Sequence, residues 1–254
     1  MKRFAVVTDL HGNDYALQAV LEELENEEIR EVYCLGDILS IGHQSKEVLQ
    51  RLQEYPNLHL VLGNHDEYIL AIHRGEAVPE DTAENKAHHE WVYRQIDDRL
   101  LDWLANKQRS LVLEENGHSI RLLHYHIPLE HNGLHISQSP YAPIHSYPTP
   151  VSYLQELFAP YQENLVLFGH THVTAYWQTD QQQVRFNPGA LGVSHDRFAR
   201  YGVIELEKGQ IRCHLKKVPY DRERYIQELQ NAKMPASIEI FPMFFGVKYE
   251  TKNI

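Results

Sequence analysis

The sequence predicts an α/β fold in which two sheets pack face to face with helices on their outer sides. A strand, a glycine-containing turn and a helix alternate three times within about 70 residues, which is typical of a parallel βαβαβ unit. The second half is mainly β-type sequence. We expect one domain over residues 1–254, with a helical insertion at about 66–108 and a C-terminal extension at about 220–254.

The first half contains three predicted strands, each followed by a helix. The apolar run RFAVVT at residues 3–8 is a strand, and apolar residues from Tyr15 to Leu24 recur at spacings of three and four, which predicts a helix. The short run EVYCL is a second strand, and a helix follows from about Ser45 to Glu54. A third strand, NLHLVL, leads into GNHD and the helical residues 66–108.

The second half begins with a predicted hairpin. Asn116-Gly117 joins the β-type runs SLVLEE and SIRLLHY, and Asn-Gly between alternating runs is a strong hairpin signal. A long loop at 127–150 and a helix near 151–158 precede the strand NLVLFGH. Four further β-type runs follow: VTAYWQT, QVRFN, YGVIELE and QIRCHLK. A helix near 221–231 precedes the apolar run IEIFPMFFG, which is either a packed tail or a dimer surface.

Composition excludes several classes of protein. The formal net charge of −11 argues against extended nucleic-acid binding, which needs clustered Lys and Arg. No apolar run approaches the roughly 20 residues that cross a bilayer, and the start lacks a small-residue cleavage pattern. The two cysteines, Cys34 and Cys213, form no CxxC motif. We therefore expect a cytoplasmic protein without membrane partners, and a homo-oligomer is left open.

Ligand-type side chains follow the predicted strands at the point where each strand ends. Asp9 and His11 follow the first strand, Asp37 the second and Asn64 the third, with His65 next to it. Because the carboxyl ends of parallel strands converge on one crevice, these turns should form one cluster. Residues i and i+2 of an extended chain face the same side, so Asp9 and His11 should grip one ion.

His170 and His172 repeat the i, i+2 spacing after a further strand and glycine. The mixture of carboxylate, imidazole and amide suits divalent Mn, Fe, Zn or Co rather than a thiolate site. Seven ligands are too many for one ion with open positions and fit two ions that share Asp37. Two such ions hold a hydroxide between them for attack on a phosphoryl group, and His65 can protonate the leaving oxygen. The seven predicted ligands are Asp9, His11, Asp37, Asn64, His124, His170 and His172.

The motifs DLHGN, GDILSIG, GNHD, a histidine after a strand, and GHTH stand in the order found in calcineurin-like metallophosphoesterases. The chain resembles the small bacterial phosphodiesterase branch of that superfamily, including asymmetric diadenosine-tetraphosphate hydrolase-like members. The resemblance implies a four-layer αββα sandwich of two mixed sheets and a dinuclear site, with Mn or Fe favoured. By analogy, one metal has the ligands Asp9, His11, Asp37 and His172. The other has Asp37, Asn64, His124 and His170, with His65 beside the phosphate.

The fourth motif departs from the family's usual His-Gly, because this chain has His124-Tyr125-His126. His124 directly ends the apolar run and is the preferred ligand, with His126 as its alternative. Elsewhere, His88 and His89 are expected at the surface or in loops. Candidates for base stacking or phosphate contact are Tyr141, Tyr147, Arg197 and Arg200.

The leading hypothesis is a metal-dependent phosphodiesterase acting on a small nucleotide or dinucleoside polyphosphate. One alternative is a phosphomonoesterase or phosphoprotein phosphatase, which usually carries Asp and Arg after the Gly-Asp turn and an Arg after GNH. This chain has Ser40-Ile41-Gly42 and Asp66 at those places. A second alternative is a non-catalytic scaffold with the same fold.

Overall fold

The computed structural model describes residues 1–79 and 81–249, and its strands form two sheets of five strands each. In spatial order, the first sheet contains Gln210–Pro219 (β10), Phe198–Glu207 (β9), Lys2–Val7 (β1), Val32–Cys34 (β2) and Leu58–Leu60 (β3). The second contains Ser110–Glu115 (β4), His118–Leu123 (β5), Leu165–Leu167 (β6), Val184–Asn187 (β8) and Ala175–Gln178 (β7). Both sheets are mixed: β1, β2 and β3 pair in parallel, as do β5, β6 and β8. Antiparallel pairs join β9 to β1 and β10, β4 to β5, and β7 to β8.

Apart from the short helix at Ser237–Ile240, the helices lie where the sequence predicts them. They are Asp14–Asn26 (α1), Ser45–Glu54 (α2), Asn64–His73 (α3), Ala83–Tyr93 (α4), Asp98–Ala105 (α5), Val151–Phe158 (α6), Arg222–Asn231 (α7) and Ser237–Ile240 (α8). A π-helix, Phe241–Phe245, follows α8 directly. The predicted loop at 127–150 is irregular apart from two short 3-10 turns. The division of the chain into domains stays a prediction.

The period-two alternation of β1 determines how the layers pack. Phe4 and Val6 belong to the apolar core between the two sheets, whereas Ala5 and Val7 belong to the core between the first sheet and the helices. In the second sheet, the buried Val166 faces a third cluster that contains Phe158 of α6. Because successive strand residues point to opposite faces, each sheet is buried on both sides. The result is the predicted four-layer αββα sandwich of two mixed sheets.

The structure corrects the expected surface position of two histidines and shows how the C-terminal apolar run packs. His88 and His89 are buried, at 3% and 7% exposure, so placing them at the surface was wrong. The cause is that α4 packs against α3, and His88 Nε2 accepts the Ile41 N–H at 2.8 Å. The apolar run at 238–246 forms a packed tail, because Phe241 and Phe245 are fully buried in the core beside the first sheet.

None of the helices within residues 1–79 and 81–249 has both the length and the apolar character that a membrane span requires.

Candidate metal centre

Five of the seven predicted ligands have a left-handed backbone. Asp9, His11, Asp37, His170 and His172 all have positive φ, between 45° and 69°. Non-glycine residues rarely adopt this conformation, and it concentrates at functional sites. The expectation that Asp9 and His11 converge because their backbone is extended was therefore wrong. Their side chains converge because the chain turns sharply after β1.

Hydrogen bonds hold these turns against one another. The Asp9 N–H donates to Gly36 O at 3.1 Å and the His11 N–H donates to Asp37 O at 3.0 Å. The His170 N–H donates to the Asp9 carboxylate at 3.1 and 3.2 Å. At Gly63 a Cβ atom would lie 2.1 Å from Asp37 Oδ1, so only glycine fits there. The turns from both sheets are thereby fixed in one cluster.

The first donor group contains Asp9, His11, Asp37 and His172. His11 Nε2 lies 3.1 Å from His172 Nε2 and 3.7 Å from Asp37 Oδ2, and His172 Nε2 lies 3.5 Å from Asp9 Oδ1. Two donors about 2.1 Å from one ion and at right angles to each other lie about 3 Å apart. These separations fit a single divalent ion between the four side chains.

The second donor group contains Asp37, His124 and His170. His124 Nε2 lies 3.2 Å from Asp37 Oδ2 and 3.2 Å from His170 Nδ1. Asp37 belongs to both groups, and its Oδ2 faces His11 on one side and His124 on the other. The two groups therefore meet at one carboxylate.

Two of the imidazole rings are oriented by backbone carbonyls. His11 Nδ1 lies 3.2 Å from Leu39 O, and His124 Nδ1 lies 2.8 Å from Leu35 O. In a neutral ring this places the proton on Nδ1 and leaves the Nε2 lone pair directed into the cluster. This is the arrangement that metal-binding histidines require.

Asn64 supplies a further test of whether these residues fit a metal. Its side chain is buried at 7% exposure, and its Nδ2 donates weakly to Tyr68 OH at 3.4 Å. Its Oδ1 is buried without a hydrogen-bond donor among the described residues. Leaving a buried acceptor unpaired costs about 1–3 kcal/mol. An oxygen-binding cation would supply the missing partner, so the donor set fits a metal site.

Electrostatics within the cluster favour ionised carboxylates. Burial opposes ionisation of Asp9, but attraction to His172 outweighs it and lowers the pKa of Asp9 to about 2. Burial also opposes ionisation of Asp37, yet attraction to His124 holds the pKa of Asp37 well below its usual range. Burial lowers the pKa of His11 to about 4, so that ring is neutral. Two carboxylates are thus ionised beside a neutral imidazole before any cation binds.

His65 lies beside the donor groups, at the open side of the site. Its ring makes an edge contact with His11, with centroids 5.1 Å apart, and its backbone N–H donates to Asp37 Oδ1 at 2.9 Å. Asp9, His11 and Asp37 are almost completely buried, whereas His65 is half-buried. Its Nδ1 has no hydrogen-bond partner among the described residues. Burial holds the pKa of His65 well below its usual range, so the ring is neutral before a substrate enters.

Asp66, the residue after His65, stabilises the backbone around the site. Its Oδ1 accepts the N–H groups of Ile38 and Leu39 at 2.9 and 3.1 Å, and its Oδ2 accepts the Gly63 N–H at 2.9 Å. The carboxylate thus ties the turn after β2 to the start of α3. It is fully buried and bound to backbone, which leaves it unavailable to substrate.

The two histidines of the fourth motif lie in different surroundings. His124 is fully buried within the second donor group, whereas His126 is half-buried and its Nδ1 lies 3.1 Å from Tyr161 OH. Tyr125 between them is buried against Phe158. The geometry therefore supports His124 as the proposed ligand.

We expect His124→Ala to lower the bound metal to about one ion per chain or less, because the second donor group loses an imidazole. His126→Ala is the matched variant and should retain the metal content of the original protein. Elemental analysis of both proteins after gel filtration in Mn²⁺-containing buffer measures the effect. Metal loss from the His126 variant alone would reverse the assignment.

One residue near the site escaped the sequence analysis. The ring of Phe244, in the π-helix, packs against His172 and His11 with centroid distances of 5.7 and 6.4 Å. The apolar run that contains it gave no sign of proximity to motifs more than 70 positions earlier. Among the expected substrate contacts, Arg200 forms an ion pair with Asp196 at 2.6 Å.

Tyr141, another expected substrate contact, is hydrogen-bonded within the protein. Its hydroxyl donates to Glu67 at 2.9 Å, and its ring stacks on His170 with centroids 6.1 Å apart. Arg197 is exposed and lies over the Phe198 ring. Tyr147, by contrast, is 72% exposed.

The family model of the calcineurin-like phosphoesterase superfamily domain matches residues 1–209 of the chain. The chain belongs to the calcineurin-like phosphoesterase superfamily. Its membership makes it a metallophosphoesterase with a His/Asp metal-binding cluster.

The similar sequences include an uncharacterised protein and enzymes named as tetraphosphatases. An uncharacterised protein of Methanocaldococcus jannaschii is 23% identical over 246 residues, which cover 91% of this chain and 93% of that protein. The symmetrical bis(5'-nucleosyl)-tetraphosphatase of Paracidovorax citrulli is 38% identical over 125 residues, which cover 47% of this chain and 42% of that enzyme. Its name specifies a symmetrical enzyme, whereas the motifs resemble asymmetric hydrolase-like members.

Solved structures agree on the fold. A protein of Pyrococcus horikoshii OT3 superposes with a TM-score of 0.77 at 21% identity, covering 98% of this chain and 100% of that one. A metallophosphoesterase from Sphaerobacter thermophilus gives a TM-score of 0.67 at 20% identity, covering 92% and 95%. At these identities the similarity establishes the architecture.

Proposed function

We propose that the protein is a dinuclear metal-dependent phosphodiesterase that hydrolyses small nucleotides or dinucleoside polyphosphates. The observation that carries the proposal is the pair of donor groups that share Asp37, with the half-buried His65 beside them. A shared carboxylate would hold two ions close together, as in two-metal phosphoesterases.

The proposed ligands divide between two ions. Asp9, His11, Asp37 and His172 hold one, and Asp37, Asn64, His124 and His170 hold the other, with Mn or Fe favoured for their mixture of oxygen and nitrogen donors. Two ions so bound supply an acidified water and neutralise charge on the phosphoryl oxygens.

The chain's own residues supply orientation and a proton. The carbonyls of Leu39 and Leu35 fix the rings of His11 and His124, so their donor atoms need no rearrangement when substrate enters. Hydrolysis joins a water oxygen to phosphorus and breaks the bond to the departing oxygen, which must take up a proton. His65 gives that proton, since the anionic substrate raises the affinity of its imidazole for a proton.

The substrate class is supported by charge and by similarity. A chain with a formal net charge of −11 repels a nucleic-acid polymer, whereas a small phosphate ester needs only a local cationic site. The tetraphosphatase of Paracidovorax citrulli is 38% identical to this chain over 125 residues. The free thiols of Cys34 and Cys213 are in keeping with the proposed cytoplasmic location.

A substrate panel tests the proposal. Protein loaded with Mn²⁺ should hydrolyse diadenosine tetraphosphate and nucleoside phosphodiesters faster than the matching monoesters and phosphopeptides. Chromatography of the products identifies the bond: two ADP for symmetrical cleavage, ATP and AMP for asymmetrical cleavage. Faster monoester hydrolysis would favour a phosphatase, and no turnover together with fewer than one ion per chain would favour a scaffold.

A further inference from the structure

A cavity of about 860 Å³ opens directly beside the candidate metal centre. Four segments form most of it: the 127–150 loop contributes Ile144 and Tyr147, the turn after β6 contributes residues 170–174, the turn after β8 contributes Val193, and the π-helix contributes Met243 and Phe244. Its volume lies within the range of small-molecule sites. Of these segments, the π-helix was not expected from the sequence to meet the site.

The cavity and the metal centre share part of their walls. His170 and His172, one from each donor group, line the cavity, and the Phe244 ring packs against His172 with centroids 5.7 Å apart. A phosphate held at the metal centre would therefore direct one of its ester groups into the cavity.

The polar groups in the cavity wall are already paired with one another. Arg200 Nη2 lies 2.6 Å from Asp196 Oδ2, and Arg200 Nη1 donates to Ser194 Oγ at 3.0 Å. Burial disfavours the charge on Asp196, but hydrogen bonds from Arg200 and Ser194 outweigh it and lower the pKa of Asp196 to about 2. The Arg200 charge is thus neutralised at physiological pH, and this wall does not attract a second phosphate.

The C-terminal wall of the cavity is anchored by several contacts. His195 Nε2 lies 3.0 Å from Met243 O, and Arg222 Nη2 donates to Phe245 O. Gly246 has a φ of +64°, and a Cβ atom there would lie 2.9 Å from the His195 ring. The π-helix is therefore held against the turn at 193–196, and Phe244 has a fixed position beside the metal centre.

We propose that this cavity binds the nucleoside portion of the phosphodiester substrate, with the base against the Tyr147 and Phe244 rings. The inference rests on the proposed phosphodiesterase function. An aliphatic chain would remove the Asp196–Arg200 ion pair from water without offering it a hydrogen bond, which is unfavourable. A heterocyclic base instead offers a flat face to the aromatic rings and a hydrogen-bonding edge to those polar groups.

A pair of chromogenic substrates measures the contribution of the nucleoside. The two substrates are thymidine 5'-(p-nitrophenyl phosphate) and methyl p-nitrophenyl phosphate. Both release p-nitrophenol, but the second ester group is a nucleoside in the first and a methyl group in the second. We expect the Mn²⁺-loaded protein to have a kcat/KM about tenfold or more higher for the thymidine ester, because stacking on one base contributes about that factor. Equal values for the two esters would overturn the inference.

Variants locate the effect in the cavity. Tyr147→Ala and Met243→Ala should each lower the ratio of the two kcat/KM values toward one, and Tyr147→Phe should preserve it. Met243→Ala leaves the carbonyl that His195 contacts unchanged. Tyr176, which is 52% exposed on β7 and not among the residues that line the cavity, provides the matched control. Tyr176→Ala should leave both rates unchanged.

A binding measurement separates this inference from the proposed catalytic function. Saturation-transfer NMR with thymidine and EDTA-treated protein should show transfer to the base protons, and Tyr147→Ala should abolish it. Loss of all hydrolysis with this transfer retained would refute the phosphodiesterase but leave the nucleoside site. Hydrolysis of both esters at equal rates without transfer would refute the nucleoside site alone.

Discussion

Replacing Asp37 with asparagine is expected to lower kcat/KM about a thousandfold or more, because both donor groups contain this carboxylate. Its Oδ2 lies 3.7 Å from His11 Nε2 and 3.2 Å from His124 Nε2. An amide is neutral and offers one acceptor oxygen, so it cannot bridge two cations. Metal ions contribute several kcal/mol of transition-state stabilisation in such enzymes, and each 1.4 kcal/mol is a factor of about ten in rate.

The measurement combines steady-state kinetics on a phosphodiester with elemental analysis of bound Mn²⁺. The metal content should fall together with the rate. Asp14→Asn is a matched control, since Asp14 is also buried but binds Arg51, at 2.7 and 2.8 Å, on the side of α1. That control should retain both metal and rate. An Asp37→Asn protein with full metal content and unchanged kcat/KM would contradict the shared-ligand assignment.

Replacing His65 with alanine should lower kcat by about a hundredfold or more while the metal content stays constant. General acid catalysis contributes about 10²–10⁴-fold, and His65 lies outside both donor groups, in edge contact with His11. The loss should shrink with a good leaving group, because p-nitrophenolate departs without prior protonation whereas an alkoxide does not.

Comparison of a p-nitrophenyl ester with an alkyl ester of the same nucleotide reveals this dependence. His118→Ala provides a control for loss of a buried histidine, since His118 lies at the amino end of β5 and contacts Glu207 O at 2.7 Å. It should affect stability but not kcat. An equal loss on both esters in the His65 variant would assign this residue to phosphate binding rather than to proton transfer.

The π-helix at Phe241–Phe245 brings the C-terminal segment next to the candidate metal centre and into the wall of the proposed nucleoside site. Phe241 and Phe245 are buried in the core beside the first sheet, while Phe244 between them reaches His11 and His172. The segment that the sequence left open between a packed tail and a dimer surface thus contributes to the wall of the site. Any oligomer stays a prediction.

The sequence alone determined the fold class and brought the ligand motifs to one edge of the molecule. The apolar runs of two-residue and three-to-four-residue periodicity are local, so β1, α1, α2 and the hairpin at Asn116-Gly117 could be predicted from short stretches of sequence. Parallel strands place their carboxyl ends together, so Asp9, Asp37 and Asn64 could be assigned to one crevice before the structure was known.

Only the tertiary structure decided the details that depend on contacts between distant segments. The left-handed backbone at Asp9 and His11 is imposed by bonds to the turn after β2. The burial of the His124 ring beside Asp37 supports the sequence-based preference for His124 over His126. The burial of His88 depends on Ile41, 47 positions earlier. The cavity at Phe244 depends on the turns at 170–174 and 193–196. Contacts of this kind leave no periodic pattern in the sequence, because they depend on how distant segments pack rather than on local conformational preference.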